Sequence, residues 1–148
     1  MNEEFMKLAL SQASRAMKLD EVPIGAVIVQ NGKVLAKAYN TRNKSQNAIN
    51  HAEILAISKA CRKLKSWRLD DCDIYVTLEP CPMCAGAILN ARIKNLYFGA
   101  YDKTSKTNLL ESIMKDDRLN HKTEVFGGIM QDECSKLLSQ FFAGKRKK

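Results

Sequence analysis

The sequence predicts an α/β protein: a mixed five-stranded sheet covered by helices on both faces, in three layers. Strand-like runs from Val22 to Gln30 and from Lys33 to Tyr39 are joined by Asn31-Gly32, the strongest short hairpin signal a sequence carries. Beyond that hairpin, strand-like and helical segments alternate, as they do where one sheet is flanked by helices. Apolar residues at helical spacing occupy both ends of the chain.

In chain order, Phe5, Leu8, Ala9, Ala13, Ala16 and Met17 recur at helical spacing and define a first helix. The hairpin follows, then a polar loop from Asn40 to Asn47. From about His51, the positions Ile54, Leu55, Ile57 and Ser58 continue as a helix to near Lys63. A third strand, Asp73 to Leu78, runs into Glu79-Pro80, and a helix spans Cys81 to about Ala91. Asn95 to Gly99 reads as a strand, Leu109 to Met114 as a helix, and Thr123 to Phe126 as a fifth strand. Cys134, Leu137, Leu138, Phe141 and Phe142 form an i, i+3, i+4, i+7, i+8 stripe on a final helix. Residues 1–144 are read as one domain and Lys145-Arg146-Lys147-Lys148 as a basic tail.

With 148 residues, 45% hydrophobic and 27% charged, the composition is that of an ordinary globular domain. The start Met1-Asn2-Glu3-Glu4 is no signal peptide, and the apolar run Ile24 to Val29 is far short of a membrane span. A cytoplasmic protein without a membrane partner is the expectation. Five cysteines, an odd number without an export signal, form no secreted disulfide framework. A net charge of +8 speaks of partners rather than of fold, and polyanions such as nucleic acid come first.

Two short motifs carry chemistry: His51-Ala52-Glu53 and Pro80-Cys81-Pro82-Met83-Cys84, each at a helix start. Cys81 and Cys84 stand three apart on one helix face, where the positive end of the dipole favours thiolates. Pro82 is tolerated in a first turn, because the N–H it lacks would have no partner there. Two thiolates and an imidazole are ligands that Zn²⁺ prefers, and three protein ligands leave a fourth position for water. The competing readings are a structural zinc site and a redox pair. A closed structural site needs a fourth ligand. Cys61 lies about 15 Å from His51 along one helix, Cys72 roughly 20 Å away at the far end of the third strand, and Cys134 on the apolar stripe of the last helix. None is well placed, and a redox pair leaves His51 and Glu53 without a role. An open zinc lowers the pKa of its bound water to about 7, and Glu53 is the candidate to move protons beside it. Residues two apart on a regular helix do not share a face, so His51 and Glu53 can converge only in a frayed first turn.

The pairing H-x-E…P-C-x-x-C is the signature of zinc deaminases. The chain resembles the bacterial tRNA adenosine deaminases in Val22-Pro23-Ile24-Gly25-Ala26-Val27, His51-Ala52-Glu53-Ile54 and Tyr75 through Ala87. The likeness extends to Phe98-Gly99-Ala100, Asn120-His121 and the ending Leu138-Ser139-Gln140-Phe141-Phe142. The resemblance implies a cytidine-deaminase-like fold, a homodimer and one Zn²⁺ per subunit on His51, Cys81 and Cys84. It further implies Glu53 as proton shuttle, Asn40 and Ala52 at the substrate, and the anticodon stem-loop of tRNA as partner, its wobble adenosine becoming inosine. The chain departs from the family at Ala48-Ile49-Asn50 and in the segment Asp102 to Asn108, which lacks a glycine-rich loop.

Several residues carry two readings. Asn40 is a turn residue by type and base-binding by resemblance; Asp102 is a loop acid or a contact to a flanking ribose. Phe141 and Phe142 pack in the core or stack on unpaired bases. His121 is taken as structural or surface. Two rival functions are a small-molecule deaminase of guanine or cytosine, with the same catalytic set, and a non-catalytic RNA-binding module with structural zinc. Glu53 separates the second from an enzyme, since a structural site has no use for a carboxylate beside its metal.

Overall fold

The computed structural model describes residues 1–102 and 109–146. Its elements are α1 (Glu3–Lys18), β1 (Gly25–Gln30), β2 (Lys33–Tyr39), α2 (Arg42–Ser45), α3 (Ala52–Leu64), β3 (Cys72–Leu78), α4 (Pro82–Asn90), β4 (Asn95–Ala100), α5 (Leu109–Met114), β5 (Glu124–Phe126) and α6 (Gln131–Arg146). The five strands form one mixed sheet, as expected, and their order is β2-β1-β3-β4-β5.

At the hairpin, Gln30 pairs with Lys33, and Asn31 and Gly32 both take positive φ, 50° and 76°. A two-residue type I′ turn demands that backbone of both its residues, and these types adopt it. β1 also pairs antiparallel with β3, whereas β3–β4 and β4–β5 are parallel and are crossed over by α4 and α5.

Alternation along the strands sorts the core into two layers. Ala26, Ile28, Ile74, Val76, Leu96 and Phe98 point to one face and are covered by α3, α4 and α5 through Ala52, Ala56, Ala60, Ala85, Ile88 and Leu110. Val27, Val29, Tyr75 and Tyr97 point to the other and meet α1 and α6 through Met6, Ala9 and Cys134. On that second face Tyr75, Tyr97 and Phe126, register partners on three successive strands, stack with centroids 4.7 and 5.1 Å apart.

Three features differ from the sequence reading by more than about one residue. β1 begins at Gly25 rather than Val22, because Ile24 N donates to Val22 O (2.8 Å) around Pro23, a three-residue turn that the fixed proline φ favours. The expected loop after β2 contains the single turn α2. α6 runs through Lys145 and Arg146, where a tail was expected, and Lys145 pairs with Asp20 at 2.6 Å while lying over the Phe141 ring. Lys147 and Lys148 lie outside the described residues.

Gly25 is the point of closest helix–sheet approach. A Cβ there would stand 2.0 Å from Ala9 O and 2.6 Å from Ala13 N, both backbone atoms of α1. Gly25→Ala is therefore expected to cost about 2–3 kcal/mol, the price of forcing helix and sheet apart, and to lower Tm by about 5–10 °C. Gly144→Ala, with open space around it on α6, should instead leave stability unchanged or raise it by up to about 1 kcal/mol. Urea unfolding of the two variants reads both signs.

Candidate metal centre

α3 and α4 both start at the end of the sheet where β3 finishes, the end at which open α/β sheets bind ligands. β3 ends at Leu78, and Glu79-Pro80 turn the chain into α4, with Cys81 as N-cap in extended conformation (φ −72°, ψ 170°) and Pro82 in the first turn. His51 is the N-cap of α3, also extended (φ −74°, ψ 156°). It is delivered by a turn in which its N–H donates to Ile49 O (2.8 Å).

The imidazole does not cap its own helix. Its Nδ1 lies 3.7 Å from Cys81 Sγ and 3.6 Å from Cys84 Sγ. These three residues form the one His/Cys/Asp/Glu group among the described residues whose donor atoms could jointly hold a metal ion, all within 4.8 Å of one another. The other cysteines stand apart. Cys61 Sγ is 3.8 Å from Trp67 O at the far end of α3. Cys72 opens β3, and Cys134 packs on the α6 face against Gly99.

Glu53 enters the same site from α3. The expected obstacle, that residues two apart face different ways, does not arise, because His51 is extended and only Glu53 is helical. Glu53 is buried, and its Oε1 is the only buried side-chain nitrogen or oxygen among the described residues without a hydrogen-bond partner. Burial pushes its pKa up to about 7; its own backbone amide opposes the shift, the Cys81 charge adds to it, and a bond from the Cys84 thiol opposes it.

The Cys81 and Cys84 thiols are hydrogen-bonded to each other, and the bond shifts them in opposite directions. The bond from Cys84 holds Cys81 down to about 5, with burial opposing and the amides of Cys84 and Met83 and the His51 ring assisting. The same bond, together with burial and the nearby Glu53, pushes Cys84 well up.

The remaining expected residues are placed less directly. Ala52 buries its methyl wholly in the core and offers no side-chain surface. Asn40 is buried, its Oδ1 accepting from Arg42 N (3.1 Å) and its Nδ2 donating to Val22 O (3.3 Å). Asp102 is not in the metal group; its N–H donates to Glu79 Oε1 (2.9 Å), and both residues line a cavity of about 640 Å³ between α5 and β5. Residues 103–108 of the atypical loop, with Lys103 and Lys106, lie outside the described residues. Phe141 is buried and Phe142 exposed. His121 lies 2.8 Å from Ile93 O through Nε2, a structural setting. Glu21 and Thr77 are two buried polar residues that sequence reasoning missed. Thr77 Oγ1 accepts from Gly25 N (3.1 Å), and Glu21 accepts from two amides of α2. Neither stands in a motif, and both act across long sequence separations.

The sequence model of the MafB19-like deaminases matches residues 1–145. The tRNA-specific adenosine deaminase of Bacillus subtilis is 46% identical over 148 residues, covering 99% of this chain and 92% of that one. A solved structure of a tRNA:A34 deaminase, from work on A-to-I editing at the wobble position of transfer RNA, superposes with a TM-score of 0.86 at 40% identity, covering 93% of this chain and all of that one. The guanine deaminase of Bacillus subtilis superposes less closely, with a TM-score of 0.67 at 32% identity over 99% and 95% of the two chains.

Because thiolate, not thiol, binds metal, loading the metal-free protein with Zn²⁺ at pH 7 should release at least about one proton per ion, chiefly from Cys84. Calorimetry in two buffers of different ionisation enthalpy measures it. Affinity should fall as the pH drops from 7 through about 5, where Cys81 also takes up a proton. Zero proton release would contradict a Cys84 thiol pushed up by its surroundings.

Proposed function

The chain belongs to the MafB19-like deaminase family, and from that premise we propose that it is a zinc-dependent hydrolase converting adenosine to inosine at the wobble position of a tRNA anticodon, with release of ammonia. The observation that carries the reading is the partnerless Glu53 Oε1, a buried carboxylate oxygen beside three metal donors that leave a fourth position open.

The donor set fits zinc. With Zn–S near 2.3 Å and Zn–N near 2.0–2.1 Å, a tetrahedral ion spaces sulfur and nitrogen by about 3.6 Å; the two measured separations are 3.7 and 3.6 Å. His51, Cys81 and Cys84 would hold one zinc per subunit, which when bound would supply the Lewis acidity that brings a water's pKa toward about 7. Glu53 would take one proton from the attacking water as its oxygen adds to C6 of the base, and would hand it to the adjacent ring nitrogen. The proton left on the added oxygen would then pass through the same carboxyl to the amino group as the C6–N bond breaks, so that C6 becomes a carbonyl and the amine leaves as ammonia. Its pKa near 7 suits a group that must accept and donate in turn. Asn40 and the backbone of Ala52 contact the base, and Asp102 meets a flanking ribose.

The substrate is assigned to RNA on the identity of the relatives and on the +8 charge. An anticodon-loop adenosine is already unpaired, so presenting it costs little. On the likeness to the tRNA-specific adenosine deaminases, the reading extends to a homodimer in the cytoplasm.

Incubation with an anticodon stem-loop carrying wobble adenosine should yield inosine, with kcat/KM far above that on free adenosine. Comparable values on the two substrates would assign the site to small molecules. Glu53→Gln should keep metal and fold yet lose about 10⁴-fold in kcat, the upper end for a single acid–base group. A variant retaining a tenth of wild-type turnover would remove Glu53 from the proton path.

A further inference from the structure

Glu21 is 1% exposed, although it sits in the short link between α1 and β1. Its N–H donates to Ala16 O (3.0 Å), which pins it to the last turn of α1. Its two carboxylate oxygens are spent on one target: Oε1 accepts from Asn43 N (3.1 Å) and Oε2 from Lys44 N (2.6 Å), both in α2. Thr41, the N-cap of α2, makes no side-chain capping bond, so a residue twenty positions upstream does that work.

α2 buries no residue of its own. Burying a carboxylate is costly, and no apolar burial by α2 offsets it. What the contact achieves is geometric. α2 is tied back at each end to the segment that carries the site. Arg42 N donates to Asn40 Oδ1 (3.1 Å), Thr41 N to Asn50 O (3.2 Å) and Asn50 Nδ2 to Ser45 Oγ (2.8 Å). Asn40 thus has one carboxamide end on α2 and the other on Val22 O (3.3 Å), the residue next to Glu21. Each anchor of the carboxamide is a sequence neighbour of the buried glutamate or of the amides it binds.

We propose that Glu21 is a positioning residue of the deaminase: through α2 it fixes the orientation in which the Asn40 carboxamide meets the base. The proposal rests on the assignment of Asn40 to the substrate. It predicts a specific energetic coupling between two residues that do not share a hydrogen bond.

The test is a double-mutant cycle on kcat/KM for the stem-loop with the zinc-loaded protein. Glu21→Gln keeps volume and shape but turns an –NH₂ toward one of the two amide donors, and should lower kcat/KM about tenfold with zinc stoichiometry unchanged. In an Asn40→Ala background the same substitution should cost less than about twofold, because the group it positions is gone. Equal losses in both backgrounds would overturn the proposal, since a general loss of fold stability does not depend on Asn40. Amide exchange of the same proteins reads the coupling without any substrate. Glu21→Gln should speed exchange at Arg42 N and at the Asn40 carboxamide as well as at Asn43 and Lys44; acceleration confined to Asn43 and Lys44 would also overturn it. If the wild-type protein makes no inosine, the tRNA reading fails, and exchange still decides whether Glu21 holds Asn40.

Discussion

The small side chains on the inner face of α3 set how close its first residue can come to α4, and every property of the metal group depends on that approach. Ala52, Ala56 and Ala60 repeat at i, i+4 and i+8 and are fully buried against Ala26, Ala36 and Ala38 of the hairpin. Methyl against methyl draws helix and sheet together more tightly than Leu or Ile would allow. The donor atoms come from two helices thirty residues apart in sequence, and sulfur–nitrogen edges of 3.6–3.7 Å tolerate little play. A bulkier residue at Ala56 would move the imidazole without touching it, because packed interiors relocate strain rather than absorb it.

That close packing also creates the electrostatic problem that the site exploits. Glu53 is buried, an oxygen is left without a partner, and Cys84 holds a proton that a lone thiol in water would give up more readily. Groups kept in such unfavourable states mark functional sites, because a fold selected for stability alone would replace them with apolar residues. The site is thus a local expense carried by two well-filled core layers.

Much of this was legible in the sequence, and the limits have physical causes. β2 and α5 begin and end where periodicity puts them, and Asn31-Gly32 marks its turn because the required backbone is local to those two residues. The three metal donors could be read from residue type and spacing. The convergence of Glu53 with His51 could not, since it depends on His51 being extended, which its identity does not dictate. α2 was invisible because it buries nothing and is held from outside by Glu21, a contact spanning more than twenty residues. The start of β1 was misplaced because Val22-Pro23-Ile24 is strand-like in composition, and only the turn about Pro23 reveals otherwise. α6 outran its expected end because Lys145 finds Asp20 across the fold, a partner that no window on the last residues contains.

The two rims of the sheet are unlike, yet both are closed to growth. β2 carries exposed Lys33 and Lys37 along its length, and the carbonyl of Lys37 is already taken by Lys59 Nζ at 2.9 Å. β5 is only three residues long, too brief to template another strand. Unpaired rims are where β-proteins adhere to one another, and lysines and short strands are the usual safeguards. Parallel pairings such as β3–β4 and β4–β5 form slowly, because distant stretches of chain must first find each other. A nascent chain of this protein therefore spends its vulnerable interval with one lateral border charged and the other vestigial. Encounters between half-folded copies then have no ladder of hydrogen bonds to extend, and any association of finished subunits must be built from helical surfaces.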